Sequence, residues 1–162
     1  MKRAISGIAV VVSVLLAAYS FMSSQQGIPL AGINQSNREF RIIDNGPLVV
    51  QFWASWCISC SKITPQLSEY LDSNGKDIPF IAVSTDDHFD DALRYVNQLP
   101  TTTRSTSVNF FHDYTKQLAN KFEVNSVPTV ILVNESGQVV FRQVGHFGGQ
   151  AKKDVYNAIR SL

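Results

Sequence analysis

The positions from 48 to 53 form a nearly unbroken apolar run that is rich in β-branched and aromatic side chains. Such a run predicts a buried strand, and a second run at 78–84 predicts another. Between them, apolar residues recur at helical spacing from residue 60 onwards and predict a helix. Because a strand, a helix and a second strand form a βαβ unit, we expect the two strands to be parallel.

The pattern predicts further elements on both sides of this unit. They are an edge strand at 39–43, a helix over about 85–99, a polar loop at 101–107, a short strand at 108–111, a helix at 114–122, strands at 129–133 and 138–144, and a last helix at 150–162. The two late strands are separated by a polar turn that ends in glycine, so we expect them to form a hairpin.

Four aspartates stand at the start of the helix predicted over 85–99: Asp86, Asp87, Asp90 and Asp91. Several carboxylates together could bind a hard cation. Acids in the first turn of a helix are, however, favoured by capping and by the helix dipole. We therefore interpret these aspartates as residues that begin the helix.

The chain contains two cysteines, Cys57 and Cys60, at the junction between the first predicted strand and its helix. Unpaired backbone N–H groups and the positive dipole end at a helix start favour the thiolate of the first cysteine. Cys57 is therefore the expected nucleophile. The spacing puts Cys60 one turn along and close enough for a disulfide, so Cys60 is expected to resolve a mixed disulfide on Cys57.

A structural disulfide or half of a metal site is the alternative interpretation of these cysteines. A bridge that closes so short a loop removes little entropy from the unfolded chain. A zinc site would need two further ligands, whereas His88, His112 and His146 show no paired spacing. The sequence thus favours redox chemistry, with no metal and no cofactor other than the redox-active disulfide.

Three motifs together resemble the thioredoxin superfamily. They are the run Phe52-Trp53-Ala54-Ser55-Trp56-Cys57-Ile58-Ser59-Cys60, Pro65 shortly after it, and Val127-Pro128-Thr129 far downstream. The membrane-tethered, extracytoplasmic TlpA/ResA branch matches best, over about residues 38–162. The resemblance implies an α/β fold of three α/β/α layers, in which a central mixed sheet carries helices on both faces.

The resemblance also implies roles for individual residues. Cys57 and Cys60 are expected to be catalytic, and Pro128 is expected to follow a cis peptide bond and to face Cys57. Trp56, Val127 and Pro128 are expected to contact the substrate, because a cis proline leaves the backbone of Val127 free to pair with a substrate chain.

Two positions depart from the family's pattern. Thioredoxin has a buried aspartate where this chain has Gln51, and ResA-like reductases have a glutamate where it has Ile63. The sequence therefore shows no carboxylate base for Cys60. Between the cysteines, Ile58 and Ser59 replace the Gly-Pro of thioredoxin, a pair that tunes the redox potential.

The N-terminal residues 1–22 are predicted to be a signal peptide or a membrane anchor. A short basic start precedes residues 4–22, which contain no charged side chain. This stretch is close to the roughly 20 helical residues that cross a bilayer, and we favour an uncleaved anchor over secretion after cleavage. Both interpretations place the domain outside the cytoplasm, in the periplasm. Residues 23–37 are polar and lack a hydrophobic period, so they are predicted to be a linker, and 38–162 the domain.

The charge balance bears on partners. The chain has 14 basic and 13 acidic side chains and no nucleic-acid signature. The resemblance implies protein thiol or disulfide substrates, an upstream membrane redox partner, membrane attachment through the N-terminal segment, and a monomer.

The sequence analysis thus predicts an extracytoplasmic thiol–disulfide oxidoreductase that reduces protein or apocytochrome disulfides through a C-x-x-C dithiol. A disulfide donor or isomerase is the second possibility. The third is a thioredoxin-like module that binds client chains or copper without catalysis.

Overall fold

The computed structural model describes residues 8–18, 27–33, 38–40, 46–74, 76–105 and 108–162, with only the backbone at 38–40 and 104–105. Its elements are α1 (8–18), β1 (Ile28–Gly32), β2 (Arg38–Phe40), β3 (Leu48–Trp53), α2 (Cys60–Ser73), β4 (Phe80–Ser84), α3 (Phe89–Gln98), α4 (Thr101–Ser105), β5 (Val108–His112), α5 (Gln117–Lys121), β6 (Thr129–Val133), β7 (Val139–Val144) and α6 (Gly149–Ser161).

The described strands form one mixed sheet in the order β2-β1-β5-β4-β3-β6-β7. Strands β3, β4 and β5 are parallel to one another, which confirms the predicted βαβ unit. Strands β6 and β7 form the predicted hairpin, and β6 lies antiparallel to β3. All six residues of β3 are buried, because this strand has neighbours on both sides and layers on both faces.

The two faces of β3 belong to two apolar clusters. Val49 and Trp53 pack with residues of α2, α3 and α6 on one face. Val50 and Phe52 pack with residues of α5 on the other, among them Leu118. Successive side chains of a strand point to opposite faces, so this single run contributes to both clusters. The structure confirms the predicted three-layer α/β/α fold.

Strand β1 corrects the predicted linker. Residues 28–32 lie within the segment 23–37, yet they form a strand between β2 and β5. Ile28 and Leu30 are buried there. Two alternating apolar residues around Pro29 are a weak signal in sequence, and the strand is stabilised by its pairing with distant neighbours. The domain therefore begins before residue 38.

Other boundaries differ less. Residues 101–105 form α4 where a polar loop was predicted, with Thr103 buried. Strand β2 covers part of the predicted strand at 39–43, and residues 41–45 lie outside the described residues.

The predicted signal or anchor is only partly described. Residues 8–18 are helical, whereas 1–7 and 19–22 lie outside the described residues. Within the described part of the chain, no helix combines the length and the apolar character that crossing a membrane requires.

The direction of β1 sets where the chain enters the sheet. β1 is antiparallel to β5, and Ala31 is paired with His112, the last residue of β5. Ile28 therefore lies beyond the carboxyl end of β5. Because β3, β4 and β5 are parallel, the chain enters at the edge where β3 ends and the loop to Cys57 begins.

Candidate active site

The two cysteines form a disulfide in the connection between β3 and α2. Their Cα atoms are 5.3 Å apart, and Cys60 is the first residue of α2. The Cys57 N–H donates to the Ala54 carbonyl at 3.0 Å, and the Cys60 N–H donates to the Cys57 carbonyl at 3.0 Å. These two turns confirm the predicted strand-to-helix junction, although the helix begins at Cys60 and not at Cys57.

The two sulfur-bearing residues differ in exposure. Cys57 is 5% exposed and Cys60 is 0% exposed. The Cys57 sulfur also lies 3.5 Å from the Ser59 hydroxyl, whose residue faces solvent. An external thiol or disulfide therefore reaches the pair from the Cys57 side.

Exposed apolar side chains flank Cys57. Trp56 is 70% exposed and Ile58 is 86% exposed, which is unusual for residues of this size. Both are neighbours of Cys57 in the chain. The nearly buried Cys57 thus has two protruding apolar groups beside it.

The predicted substrate-contacting residues meet at the same edge of the sheet. The peptide bond between Val127 and Pro128 is cis, as predicted. Thr129 pairs with Phe52, so Pro128 stands level with Trp53 where the Cys57 loop begins. Trp56 and Val127 line one groove of about 270 Å³, together with Lys116, Asn125, Ser126 and neighbouring residues.

Asp86 is a site residue that sequence analysis assigned wrongly. Its side chain is 3% exposed and does not cap α3, which begins at Phe89 after His88. Instead the carboxylate accepts the Ser55 N–H at 3.0 Å and the Ser55 hydroxyl at 2.7 Å. The Ser84 hydroxyl donates to it at 2.7 Å. Asp86 therefore ties the end of β4 to the loop that carries Cys57.

The other predicted helix-start acids have different positions. Asp90 and Asp91 do lie in the first turn of α3, as expected. Asp87 forms an ion pair with Lys116 at 3.2 Å. One sequence signal pointed to Asp86: it follows a buried strand parallel to β3, and such strands end at the same edge of a sheet.

Two further groups contact the backbone of Asp86. His112 is buried, and its Nε2 lies 2.8 Å from the Asp86 carbonyl. Because a carbonyl oxygen can only accept, Nε2 carries the hydrogen. The Lys116 ammonium donates to the Thr85 and Asp86 carbonyls at 2.6 and 2.7 Å. His112 thus serves as a structural donor here.

Comparison with known proteins gives the family. A family model described as Thioredoxin-like matches residues 45–139, a range that contains Cys57, Cys60 and Pro128. The chain belongs to the thioredoxin-like family. Its disulfide joins Cys57 and Cys60, both inside the matched range.

Two thioredoxin-like relatives show the extent of the similarity. Over 96 residues the chain is 34% identical to the thiol:disulfide interchange protein TxlA homolog of Synechocystis sp., covering 54% of this chain and 52% of that protein. Over 119 residues it is 31% identical to the bifunctional thioredoxin reductase/thioredoxin of Mycobacterium leprae, covering 73% of this chain and 20% of that protein. The chain spans about half of the first relative and a fifth of the second.

A solved structure shares the thioredoxin-like fold. The putative thiol:disulfide interchange protein DsbE from Chlorobium tepidum superposes with a TM-score of 0.67 at 23% identity, covering 85% of this chain and 96% of that chain. At this level of identity the likeness shows a common fold.

The two departures from the thioredoxin-like pattern lie behind Cys60. Gln51 is fully buried, and its Oε1 accepts the Thr64 hydroxyl at 3.0 Å. Its Nε2 has no hydrogen-bond partner among the described residues. Ile63 is buried in the apolar cluster of α2. Neither position supplies a carboxylate to Cys60.

A half-buried tyrosine stacks against the end of β3. The rings of Tyr95 and Trp53 are 4.5 Å apart. Burial, and secondly the negative charge of Asp86, raise the pKa of Tyr95 to about 12. This phenol is therefore protonated at neutral pH. In the described part of the chain, no three His, Cys, Asp or Glu side chains come together as a metal site.

Proposed function

We propose that this chain is an extracytoplasmic reductase of protein or apocytochrome disulfides, which acts through the Cys57–Cys60 pair. The observation that carries the proposal is the asymmetry of the pair. Cys57 has an exposed edge between two protruding apolar side chains, whereas Cys60 is fully buried behind it. This arrangement supports an outer nucleophile and an inner resolving thiol. The redox-active disulfide is the only redox group that the proposal requires.

The proposed reaction has two exchange steps. In the reduced protein, the Cys57 thiolate attacks a substrate disulfide, forms a mixed disulfide and releases the first substrate sulfur as a thiolate. Cys60 then loses its proton to water and attacks the Cys57 sulfur, which releases the second substrate thiolate. Two electrons pass to the substrate, and the intramolecular disulfide forms. A dithiol protein, the proposed membrane redox partner, reduces it again.

Substrate binding is proposed for Trp56, Val127 and Pro128. The groove between Trp56 and Val127 is open to solvent and lies at the sheet edge where the Cys57 loop begins. An extended substrate chain fits this edge, because its backbone can pair with Val127 while an apolar side chain covers Trp56. A nearly buried Cys57 favours substrates whose cysteines are accessible, as they are in unfolded proteins.

The extracytoplasmic location rests on the N-terminal sequence. Lys2 and Arg3 precede the uncharged residues 4–22, a pattern typical of exported and of anchored proteins. An oxidising compartment is also where disulfide substrates occur. We propose an anchor in the membrane and a monomeric domain outside it.

Trapping of mixed disulfides tests this function. In cells that produce the full chain with Cys60→Ser, we expect client proteins to remain linked to Cys57, because the resolving thiol is missing. The Cys57→Ser variant is the matched control and should trap none. Equal trapping by both variants, or by neither, would contradict the proposed roles.

The direction of electron flow needs a second measurement. A reductase has a low redox potential, so its dithiol form reduces a model protein disulfide to a greater extent than a reference dithiol does. A high potential with net oxidation of substrate would instead identify a disulfide donor or isomerase. Copper binding without turnover would identify a binding module.

A further inference from the structure

The buried carboxylate of Asp86 is held by neutral donors alone among the described residues. It accepts the N–H and the hydroxyl of Ser55 and the hydroxyl of Ser84. The Lys116 ammonium donates to the backbone carbonyls of Thr85 and Asp86 and pairs with the exposed Asp87, not with the Asp86 carboxylate. The hydrogen bonds disperse the charge of Asp86, but no cation on the carboxylate neutralises it.

This charge is hydrogen-bonded to the turn that carries Cys57. Ser55 is two residues before Cys57, and the N–H of Cys57 closes the turn by donating to the Ala54 carbonyl at 3.0 Å. The N–H and the hydroxyl of Ser55, which both donate to Asp86, therefore fix the first half of the turn. The position of Cys57 and the position of the charge are coupled through two peptide units.

We propose that Asp86 is a positioning residue that also sets the redox bias of the pair: it fixes the Cys57 turn and places beside it a negative charge that disfavours the Cys57 thiolate. This inference rests on the proposed redox role of Cys57. Like charges in a low-dielectric setting repel, whereas the disulfide carries no charge on either sulfur. Asp86 therefore shifts the equilibrium from dithiol to disulfide and makes the dithiol a stronger reductant.

Titratable side chains from α3, β5 and the loop before α5 face Asp86. Tyr95 approaches from α3, and the Asp86 charge contributes to its raised pKa. His112 approaches from β5 and Lys116 from the loop before α5, both on the backbone carbonyl of Asp86.

The effect of Asp86 on the redox equilibrium follows from the thiol–disulfide exchange reaction. The dithiol gives two electrons and two protons to the substrate disulfide, which becomes two thiols, while Cys57 and Cys60 form their disulfide. Where the pH exceeds the Cys57 pKa, a destabilised Cys57 thiolate raises the free energy of the reduced protein and leaves that of the disulfide unchanged. The same charge slows the first attack slightly, because less thiolate is present at a given pH.

Two variants with opposite expected effects test the proposal, at a pH above the Cys57 pKa. Asp86→Asn removes the charge but keeps an acceptor oxygen, so the Cys57 pKa should fall by about one unit. At that pH the equilibrium with a reference dithiol should shift about tenfold toward the reduced protein, or about 30 mV. Ser84→Ala keeps the charge and removes one donor. The Cys57 pKa should then rise and the equilibrium shift a few-fold toward the disulfide.

Asp113→Asn is the matched control. Asp113 is also fully buried, but its carboxylate accepts the Ala119 N–H at 2.8 Å and the Thr115 hydroxyl at 3.4 Å, neither of which belongs to the Cys57 turn. It should leave the Cys57 pKa and the equilibrium unchanged. Shifts of Asp86→Asn and Ser84→Ala in the same direction, or no shift in either, overturn the proposal.

Two further outcomes of the experiment have different meanings. If Asp86→Asn does not fold, the sign of the Ser84→Ala shift decides alone: a shift toward the disulfide supports the proposal, and any other result overturns it. If the unmodified chain shows no reversible equilibrium with the reference dithiol, the proposed function itself fails, and the Asp86 inference with it.

Discussion

The hydroxyl of Thr64 donates to Gln51 Oε1 at 3.0 Å, one helical turn after the buried Cys60. The same hydroxyl oxygen lies 3.4 Å from the Cys60 carbonyl. The Gln51 amide is therefore connected to the Cys60 carbonyl through the Thr64 hydroxyl. An amide donates and accepts hydrogen bonds but takes up no proton at neutral pH.

Resolution of the mixed disulfide should therefore be slow near pH 7. Cys60 must lose its proton before it attacks, burial disfavours the thiolate, and Gln51 cannot act as a base. We expect the rate to rise as the pH approaches the Cys60 pKa. In Gln51→Asp a carboxylate becomes available, and resolution at pH 7 should be about tenfold or more faster. Stopped-flow measurement across a pH series checks this.

Ile63→Glu is a second test of the same idea, since it places a carboxylate at the other position where the sequence departs from the ResA-like pattern. Each new buried carboxylate destabilises the domain by a few kcal/mol, so unfolding is measured in parallel. A native rate that is independent of pH and unchanged by both substitutions would show that proton removal from Cys60 is not limiting.

Alkylation should distinguish the two thiols of the reduced protein. Cys57 has the exposed edge and should react first, whereas the fully buried Cys60 should lag. Mass spectrometry of timed samples locates the label, and Cys57→Ser gives the rate of Cys60 alone. Faster labelling of Cys60 in the native reduced chain would reverse the assigned roles.

Trp56→Ala should weaken substrate binding and leave stability nearly unchanged. The side chain is largely exposed and lines the groove with Val127, so its loss removes contact with the substrate and little of the core. We expect KM for an unfolded protein substrate to rise about tenfold. Tyr114→Ala is the control, because Tyr114 is also exposed but lies outside this groove. Equal effects of the two substitutions would argue against a binding role for Trp56.

Tyr95→Phe should be neutral or stabilising by up to about 1 kcal/mol, because it removes a buried hydroxyl without a partner among the described residues. The substitution also affects alkaline stability. The folded pKa of about 12 exceeds the unfolded value of about 10. The stability due to this shift is complete below pH 10 and is lost as the pH rises toward 12.

Urea unfolding at neutral pH, together with tyrosinate absorbance at alkaline pH, measures both effects. Tyr156, whose pKa burial and secondly Glu69 also raise to about 12, remains as an internal reference. A loss of more than about 1 kcal/mol in Tyr95→Phe would mean that the hydroxyl has a partner.

Strong local patterns predicted most of the sheet. Strands β3 and β6 have the predicted limits, and β4, β5 and β7 differ from theirs by one or two residues at one end. Each of these strands except β7 is buried along most of its length, and the apolar run in its sequence reflects that burial. Strand β1 has no such apolar run from which it could be predicted. Its stability depends on pairing with β5, which the sequence pattern does not show.

The site was predictable where chemistry is carried by a motif and not where it depends on topology. Cys57, Cys60 and the cis Pro128 follow from short sequence signatures. Asp86 does not, because the same aspartate is a plausible helix start in sequence. Only the pairing of β3 with β4 shows that it lies beside Ser55. Gln51 Nε2 has no hydrogen-bond partner among the described residues, and this too depends on which side chains the fold brings together.

The direction of β1 determines how far the disulfide can travel from an anchored N-terminus. β1 enters the sheet at the edge that carries the Cys57 loop, and residues 23–27 separate it from the proposed anchor at 4–22. A segment of that length spans at most about 18 Å when fully extended. If residues 4–22 anchor the chain as we propose, Cys57 searches only a thin layer next to the bilayer. Encounters with a membrane-embedded partner then depend on effective concentration within that layer, so lengthening the segment should slow reduction by such a partner without altering the disulfide itself.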